Sequence, residues 1–555
     1  GNTLILIDGV PVYDPSYINS GFDLNMLNVC ECDRIEILKG SQSSLYGSDA
    51  VAGVINIFTK KGKGLKPIEG SISTNIGSFA TARNTLNLNG LTGKINYNLQ
   101  YSNLQSKGFS AAFDKEKKAF DKDGFVQNSF LGNVGIQVSD QLSIRFKGLV
   151  NGYKSDLDAG PFSDEKDYTS TQKLWLIGTG FDLKTSKGKL IFNYSIGENN
   201  RIFVDDSSFI APTAFDKYSK STFGGITQFA DLYWSHSISK LFDLVVGTDL
   251  RKANLEQTYV SYSQFGKYEA DPISKDSAQA NIYSLYATGL FKTGSFYFEL
   301  GGRFNSHSIY GSNFTYSFNP SYVVSKGLKL FANLSSGFKA PSLYQLYSPY
   351  GNKALNPELT ESSELGFQVF SKNQKSNLRM AYFARNQKDV IFFQALNSFP
   401  YGKYINFDKQ NDKGIELEAN ASFGKLSLWG NYTYLTGKIT TEMMGKDTTF
   451  NNLFRRPKNQ FNIGLGYQIN AKFFISTSLK SVGDRTDRFY NSETFSTDNV
   501  TLAGYSLIDI YADYKFTKKL KAYLDLKNVA NKTYSDSYGY GTKPFNFMIG
   551  LSLGF

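Results

Sequence analysis

Residues 170–199 read STQKLWLIGTGFDLKTSKGKLIFNYSIGEN. In the second half, Leu190, Phe192, Tyr194 and Ile196 alternate with Lys189, Asn193 and Ser195. Alternation at period two gives a strand with one apolar and one polar face. Another strand starts near 170, and Thr185-Ser186-Lys187 forms a tight turn between the two. Long links, 154–169 and 199–218, flank the pair. A soluble sandwich also alternates, so the connections decide the fold.

The same unit recurs outward. Leu142, Ile144 and Phe146 face away from Ser143, Arg145 and Lys147; Leu520, Ala522, Leu524 and Leu526 alternate with Lys521, Tyr523, Asp525 and Lys527. Strands are expected to start near 68, 80, 93, 126, 141, 170, 187, 219, 240, 276, 294, 312, 328, 359, 374, 412, 425, 455, 471, 500, 518 and 545. Links after even-numbered strands are tight turns, among them Ser139-Asp140, Ser239-Lys240, Gly424-Lys425 and Thr517-Lys518. Most links after odd-numbered strands are long: 105–125, 154–169, 199–218, 254–275, 338–358, 395–410, 437–454 and 483–499. Structureless links of that length count against a compact soluble domain. Here they all fall at one end, as an outer-membrane barrel requires. The expectation is an all-β membrane protein, a 22-stranded antiparallel transmembrane β-barrel. Lipid satisfies no backbone group, so the sheet must close. Strands of about 9–11 residues cross the bilayer. A lumen of this width must be plugged or leak.

Composition agrees. The 555 residues include 36 Tyr, 46 Phe and 50 Gly but 2 Cys and 2 His, which suits strands, turns and interfacial girdles and excludes a disulfide scaffold or a His-rich metal site. No run of 18 apolar residues offers a spanning helix. Net charge is +11, without a basic block, which favours an anionic membrane surface over nucleic acid.

Residues 1–64 differ from the rest. Leu4-Ile5-Leu6-Ile7 is an apolar strand before the turn Asp8-Gly9; a Pro/Tyr/Asn-rich stretch occupies 11–28; Val54-Ile55-Asn56-Ile57-Phe58 is a further buried strand. This is a small mixed α/β unit, with Lys60 to Gly64 as linker, which places the domains at 1–64 and 65–555. The stretch DRIEILKGSQSSLYGSDAVAGVINIFTKKG (33–62) resembles the closing half of the plug of TonB-dependent outer-membrane receptors. GFKAPSLYQLY (337–347) with NPELTESSELGF (356–367) resembles the family's paired mid-barrel boxes, and KGIELEA (413–419) its next strand signature. LKNVANKTY (526–534) and the terminal Phe555 resemble its C-terminal signature. By that resemblance the chain starts inside the plug. The first half of the plug, the energy-coupling box and a signal peptide are then expected on a processed, split or trimmed polypeptide. The family's Pro-Gly-Arg before the last strand is replaced by Gly541-Thr542-Lys543-Pro544-Phe545.

The resemblance implies that plug cations, Arg34 and Lys39, meet barrel-wall carboxylates, Glu364 and Glu416, and so hold a removable domain that lacks a hydrophobic core. The alternative is four ordinary solvated lumen charges. Asp156, Asp158, Asp164, Glu165 and Asp167 in one loop, with Asp205, Asp206 and Asp216 in the next, suit a hard cation such as Ca²⁺. The stretch DLDAGPFSDEKDY resembles the calcium-ordered loops of the family's cobalamin receptors. The alternative is a solvated loop with Lys154 and Lys166 interspersed. Aromatics on the long-loop side, Tyr259, Tyr262, Tyr344, Tyr347 and Tyr538, with Tyr13 and Tyr17 on an apical plug loop, are candidate solute contacts, against a packing or girdle role. Cys30 and Cys32 are too close for an unstrained bridge and read as packed thiols. Haem receptors of the family carry a His between the two boxes, and residues 341–355 have none. No Ser/His/Asp set, P-loop or zinc motif supports catalysis.

The functional expectation is an energised importer in the outer membrane of a Gram-negative bacterium, taking a scarce small-molecule solute at its long-loop face. A cobalamin-like corrinoid leads, with a ferric siderophore as alternative. A non-transporting scaffold subunit is a rival of another class. Expected partners are outer-membrane lipid and lipopolysaccharide, a TonB-type periplasmic coupling protein whose box is not in this chain, and, for the scaffold, other outer-membrane or surface proteins.

Overall fold

The computed structural model describes residues 2–62, 66–116, 118–207, 215–396, 398–443, 446–450, 453–491 and 496–555. Its main body is a closed antiparallel barrel of 22 strands, from Glu69–Gly77 to Asn546–Gly554. The last strand closes on the first, with Met548 opposite Gly77 and Gly554 opposite Ser71. No described helix is long and apolar enough to cross a membrane.

The faces are inverted relative to a soluble protein. On the strand Ile95–Ser106, Asn98, Gln100 and Ser102 are buried toward the lumen while Leu99 and Tyr101 face outward and exposed. Outward Leu285, Leu300, Leu365 and Leu551 are each at least half exposed. Lipid takes this apolar surface, and the polar face lines a filled lumen.

Two expectations change. Several strands are far longer than a bilayer needs: Asp216–Ser239 has 24 residues and Gly402–Phe423 has 22. They continue past the membrane as paired hairpins, which satisfies their backbone without lipid or loop. The long links are therefore partly sheet. Glu256–Ser263 pairs with Gly266–Glu269, Lys446–Phe450 folds back on Leu426–Met443, and Arg485–Asn491 pairs with Ser496–Leu502.

Inside sits a four-stranded sheet: β1 (Thr3–Ile7), β2 (Val10–Pro11), β3 (Cys32–Lys39) and β4 (Gly53–Thr59), in the order β2-β1-β4-β3. β1 runs parallel to β4, and β3 antiparallel. A one-turn helix, α1 (Ser43–Tyr46), precedes β4. The sheet has its own apolar cluster, Leu4, Leu6, Ala50 and Val54. A second cluster joins Ile7, Val12 and Met26 to wall residues Leu131, Leu149, Tyr153, Leu174 and Leu176. The plug is thus seated on an apolar seam as well as on ion pairs, contrary to the expectation of a domain without a core. Its last strand ends at Thr59 and the barrel begins at Glu69. The expected boundary between 64 and 65 lies outside the described residues. Cys30 and Cys32 are free thiols, and burial pushes Cys32 up to about 11.

Candidate functional site

Lys39 ends β3 and reaches the strand Gly402–Phe423, where Nζ lies 2.7 Å from Glu416 Oε2 and also donates to Glu418. Arg379, on the neighbouring strand, pairs with Glu364 and approaches Glu416 and Glu418 at 3.8 and 3.7 Å. Lys39, Glu364 and Glu416 therefore share one cluster, with Glu364 held through Arg379. Sequence reading missed Arg379 and Glu418; Glu418 shares Glu416's lumen face at period two, which is the signal that could have found it. Arg34 does not join them. It stands five residues before Lys39 on an unbroken stretch of β3, so strand alternation puts it on the opposite face, where it lies over the Phe58 ring at 3.7 Å and pairs with Glu36 at 2.6 Å.

The opposite wall holds the plug through cations of the lumen face. Lys147 donates to Ile7 O (2.9 Å) and pairs with Asp8 (3.4 Å), and Arg201 pairs with Asp14 at 2.8 Å. Arg303 donates to Leu45 O (3.1 Å) and Arg251 to Tyr46 O, so two guanidinium groups meet the carbonyl end of α1 while Asp249 neutralises Arg303. Cations suit that end of a helix turn. Each of these cations falls on the polar side of an alternating strand, a pattern that could have marked it as inward-facing.

Above the plug, a cavity of about 950 Å³ opens toward the long-loop end. Helix α2 (Leu343–Tyr347) sits at its rim, capped by Ser342 and Gln345, and Ser342 Oγ donates to Ile18 O of the plug loop at 2.7 Å. Tyr344 and Phe393 stack edge-on against Tyr404 at 6.3 and 5.3 Å, with Tyr350 on Phe393 at 5.5 Å. Lys339, Arg385 and Arg456 also line the space, against Glu358. Lys339 pairs with Glu358 at 3.7 Å; Arg385 and Arg456 share Asp412. The lining is an aromatic wall with a basic margin.

The other expected tyrosines lie elsewhere. Tyr13 gives its carbonyl to Asn199, and Tyr17 lies under Arg201 at 4.0 Å; the plug loop reaches the cavity through Ile18 and Asn19 instead. Tyr347, the last residue of α2, packs against the cluster of Leu255, Ala278 and Leu343 and lies under Lys353. Tyr259 and Tyr262 stand on a rim hairpin against Tyr268 and Tyr218. Tyr538 wedges between Phe162 and Phe489, joining loops.

The acidic loops form two groups rather than one. Asp121, Asp158 and Asp164 place one oxygen each within 4.8 Å of one another, and so do Glu165, Asp167 and Asp205. Asp156 instead accepts from Gly124 N, and Asp206 is in neither group. Burial and then Asp164 push Asp121 up to about 6; burial and then Asp167 push Glu165 up to about 7. No donor reaches either Asp167 oxygen among the described residues. A carboxyl pushed up in this way beside two further carboxylates fits a hard cation, which would replace its proton.

Two family models match the chain: the plug domain of TonB-dependent receptors over residues 1–54, and the TonB dependent receptor-like β-barrel over 113–529. Solved structures with the same fold include the siderophore receptor PirA from Acinetobacter baumannii, 18% identical, covering 100% of this chain and 90% of that one, TM-score 0.77. The ferripyoverdine receptor of the Pseudomonas aeruginosa outer membrane is 17% identical, with coverages of 100% and 80% and a TM-score of 0.80. A variant of the ferric enterobactin receptor PfeA from Pseudomonas aeruginosa, in complex with enterobactin, is 17% identical, with coverages of 100% and 92% and a TM-score of 0.78. With its barrel matched over most of its length, its lumen filled by a plug and its outer face apolar, this chain belongs to the TonB-dependent receptors of the outer membrane.

Proposed function

We propose that this receptor imports a ferric siderophore, captured in the cavity above the plug and released inward when a TonB-type protein draws on the plug. The observation that carries the reading is the cavity lining: Tyr344, Tyr350, Phe393 and Tyr404 beside Lys339, Arg385 and Arg456. Rigid aromatic faces bind flat ligand surfaces, and lysine or arginine beside them favours an anionic chelate. The volume, about 950 Å³, sits at the upper end of small-molecule sites. Three solved structures of the same fold are described as receptors for siderophores. The test is binding of purified receptor to ferric catecholate and ferric hydroxamate chelates, with the Tyr404→Ala variant as control; tight binding of one chelate, weakened in the variant, is expected, and no binding of any iron chelate overturns the reading.

One feature supports the corrinoid alternative, the pair of acidic triads in the extracellular loops. We propose that these triads take Ca²⁺ and order the loops over the cavity; such an ion would serve either solute. Outer-membrane lipid and lipopolysaccharide are the proposed neighbours of the barrel's outer face and basic rim.

A further inference from the structure

A second cavity, of about 670 Å³, shares no lining residue with the one above the plug. It lies at the outer end of the strands that close the barrel, Glu69–Gly77, Thr81–Thr92, Ile95–Ser106 and Asn546–Gly554, and reaches Asn25 of the plug. Loops 107–124, 157–168 and 528–545 each contribute to its lining. They are bonded to one another. Gly539 O accepts from Phe113 N at 2.8 Å and from Phe162 N at 3.0 Å, Gly541 N donates to Ala111 O at 2.8 Å, and Ala112 bridges to Tyr540. The cavity thus has a fixed roof of its own.

Two acids of this roof are held from one side only. Ala111 N donates to Asp123 Oδ2 at 2.6 Å; Ala112 N, at 2.5 Å, and Ser110 Oγ, at 3.2 Å, donate to Asp158 Oδ2. The other oxygen of each, Oδ1, is buried and has no donor among the described residues. Both acids line the cavity, beside Asp156, whose Oδ2 accepts from Gly124 N. The barrel wall carries the converse gap. Arg83, on Thr81–Thr92, lines the cavity with its Nε buried and without an acceptor, and no ion pair engages it among the described residues. Lys527 differs, being shared by Asp509 and Asp525 at 3.2 and 3.3 Å, and Lys543 is exposed. Buried polar atoms without partners are costly. Acids that lack donors and a guanidinium that lacks an acceptor, set around one open space, suit a ligand that bears both charges.

The rest of the lining is largely apolar. Phe79 and Phe109, with ring centroids 5.4 Å apart, border the space with Leu104, Phe125 and Leu157. The volume leaves room for more than one amino acid and stays within the range of small-molecule sites. We propose that this cavity binds a short peptide, its terminal ammonium on Asp123 and Asp158, its terminal carboxylate on Arg83, and its side chains against Phe79 and Phe109. An ammonium group supplies three donors to the two acids, and a planar guanidinium matches a carboxylate with two parallel bonds. The site is separate from the chelate cavity, and the proposal holds whichever solute that cavity takes.

The test is native mass spectrometry of the purified full receptor, in calcium-containing buffer, with a pool of tripeptides randomised at every position. The pool with free termini should bind. Pools blocked by N-acetylation or by C-amidation should each bind about tenfold more weakly, the loss expected for one charged contact. Arg83→Gln should bind the free and C-amidated pools alike. Asp123→Asn, which leaves the group of Asp121, Asp158 and Asp164 intact, should narrow the difference between the free and N-acetylated pools. Arg83→Lys replaces Arg83→Gln if that variant fails to fold, and should narrow the C-terminal preference. Absence of any bound tripeptide overturns the proposal. So does equal binding of free and blocked pools, or a C-terminal preference that is unchanged in the Arg83 variant.

Discussion

Lys39 Nζ lies 2.7 Å from Glu416 Oε2, although 377 residues separate them in the chain. Glu418 accepts from the same ammonium group, and Arg379 stands beside both carboxylates. Removing one acid therefore leaves Lys39 paired. Glu416→Ala alone should cost about 1 kcal/mol or less, as exposed pairs do, and keep bilayers silent. Glu416→Ala with Glu418→Ala should leak and expose the plug to protease. A leak from the single variant equal to that of the double would show that Glu418 contributes nothing.

Gly47 ends α1 with φ +80°, and a Cβ there would meet Arg303 Nη2 at 2.9 Å. Gly47→Ala adds backbone strain of about 1 kcal/mol and displaces one of the two guanidinium groups that hold the helix end. Plug residues should lose protease protection at a lower temperature than in the parent, with the barrel's own melting unmoved. Identical plug protection in both proteins would contradict the close contact.

The loop carboxyls give a pH dependence of defined sign. Asp123 and Glu165 are pushed up to about 7, and Asp121 to about 6, each chiefly by burial; acidic neighbours add to the rise, and at Asp123 the Ala111 N–H bond opposes it. Raised carboxyls mean that the ordered loops bind more protons than the opened ones between about pH 4 and 7, so order is lost as pH rises through that window. Hydrogen exchange in 107–124 and 157–168 should be slower at acid pH than at neutral pH, after correction for intrinsic rates. Equal protection would mean that these acids ionise freely.

Calcium should reverse that loosening. Added at neutral pH, it should restore exchange protection in 157–168, and Asp167→Asn should weaken the response several-fold. Ordered loops leave less entropy to lose when solute binds, so calcium and solute should each tighten the other. Isothermal titration with and without chelator checks both directions; no heat and no change in protection would leave the triads as solvated acids.

Tyr404 is buried between Tyr344 and Phe393 at the cavity wall. Tyr404→Ala should weaken chelate binding by about 1–3 kcal/mol, as for a central aromatic anchor. Tyr259→Ala, on the rim hairpin outside the cavity, should leave affinity unchanged. Equal losses at both positions would place the solute higher in the loops.

The barrel was legible where one face meets lipid. Turns such as Ser139-Asp140 and Gly424-Lys425 stand out because an apolar, polar alternation stops on both sides of them. The signal fades above the bilayer. The strand expected near 412 begins at Gly402, because Gly402 to Gln410 has no lipid face to demand apolar residues. The site was partly legible for a related reason. Lys39 and Glu416 stood in recognisable motifs, but a charge such as Lys147, Arg201 or Arg379, outside any motif, has meaning only once closure brings distant strands to the plug. Arg34 misled because it stands five residues before Lys39 on β3, an odd spacing that puts the two side chains on opposite faces of the strand. Tyr13 and Tyr17 misled because Asn199 and Arg201 hold the plug loop, a contact fixed by tertiary packing.

The most direct measurement is uptake of radiolabelled iron by cells in which this receptor is the sole entry route, offered as ferric catecholate and ferric hydroxamate chelates beside labelled cyanocobalamin. Iron from one class of chelate should enter, stop when a protonophore collapses the inner-membrane gradient, and fall with Tyr404→Ala, while cobalamin stays outside. Energy-dependent entry of cobalamin, with iron from none of the chelates, would contradict the siderophore reading and establish the corrinoid one.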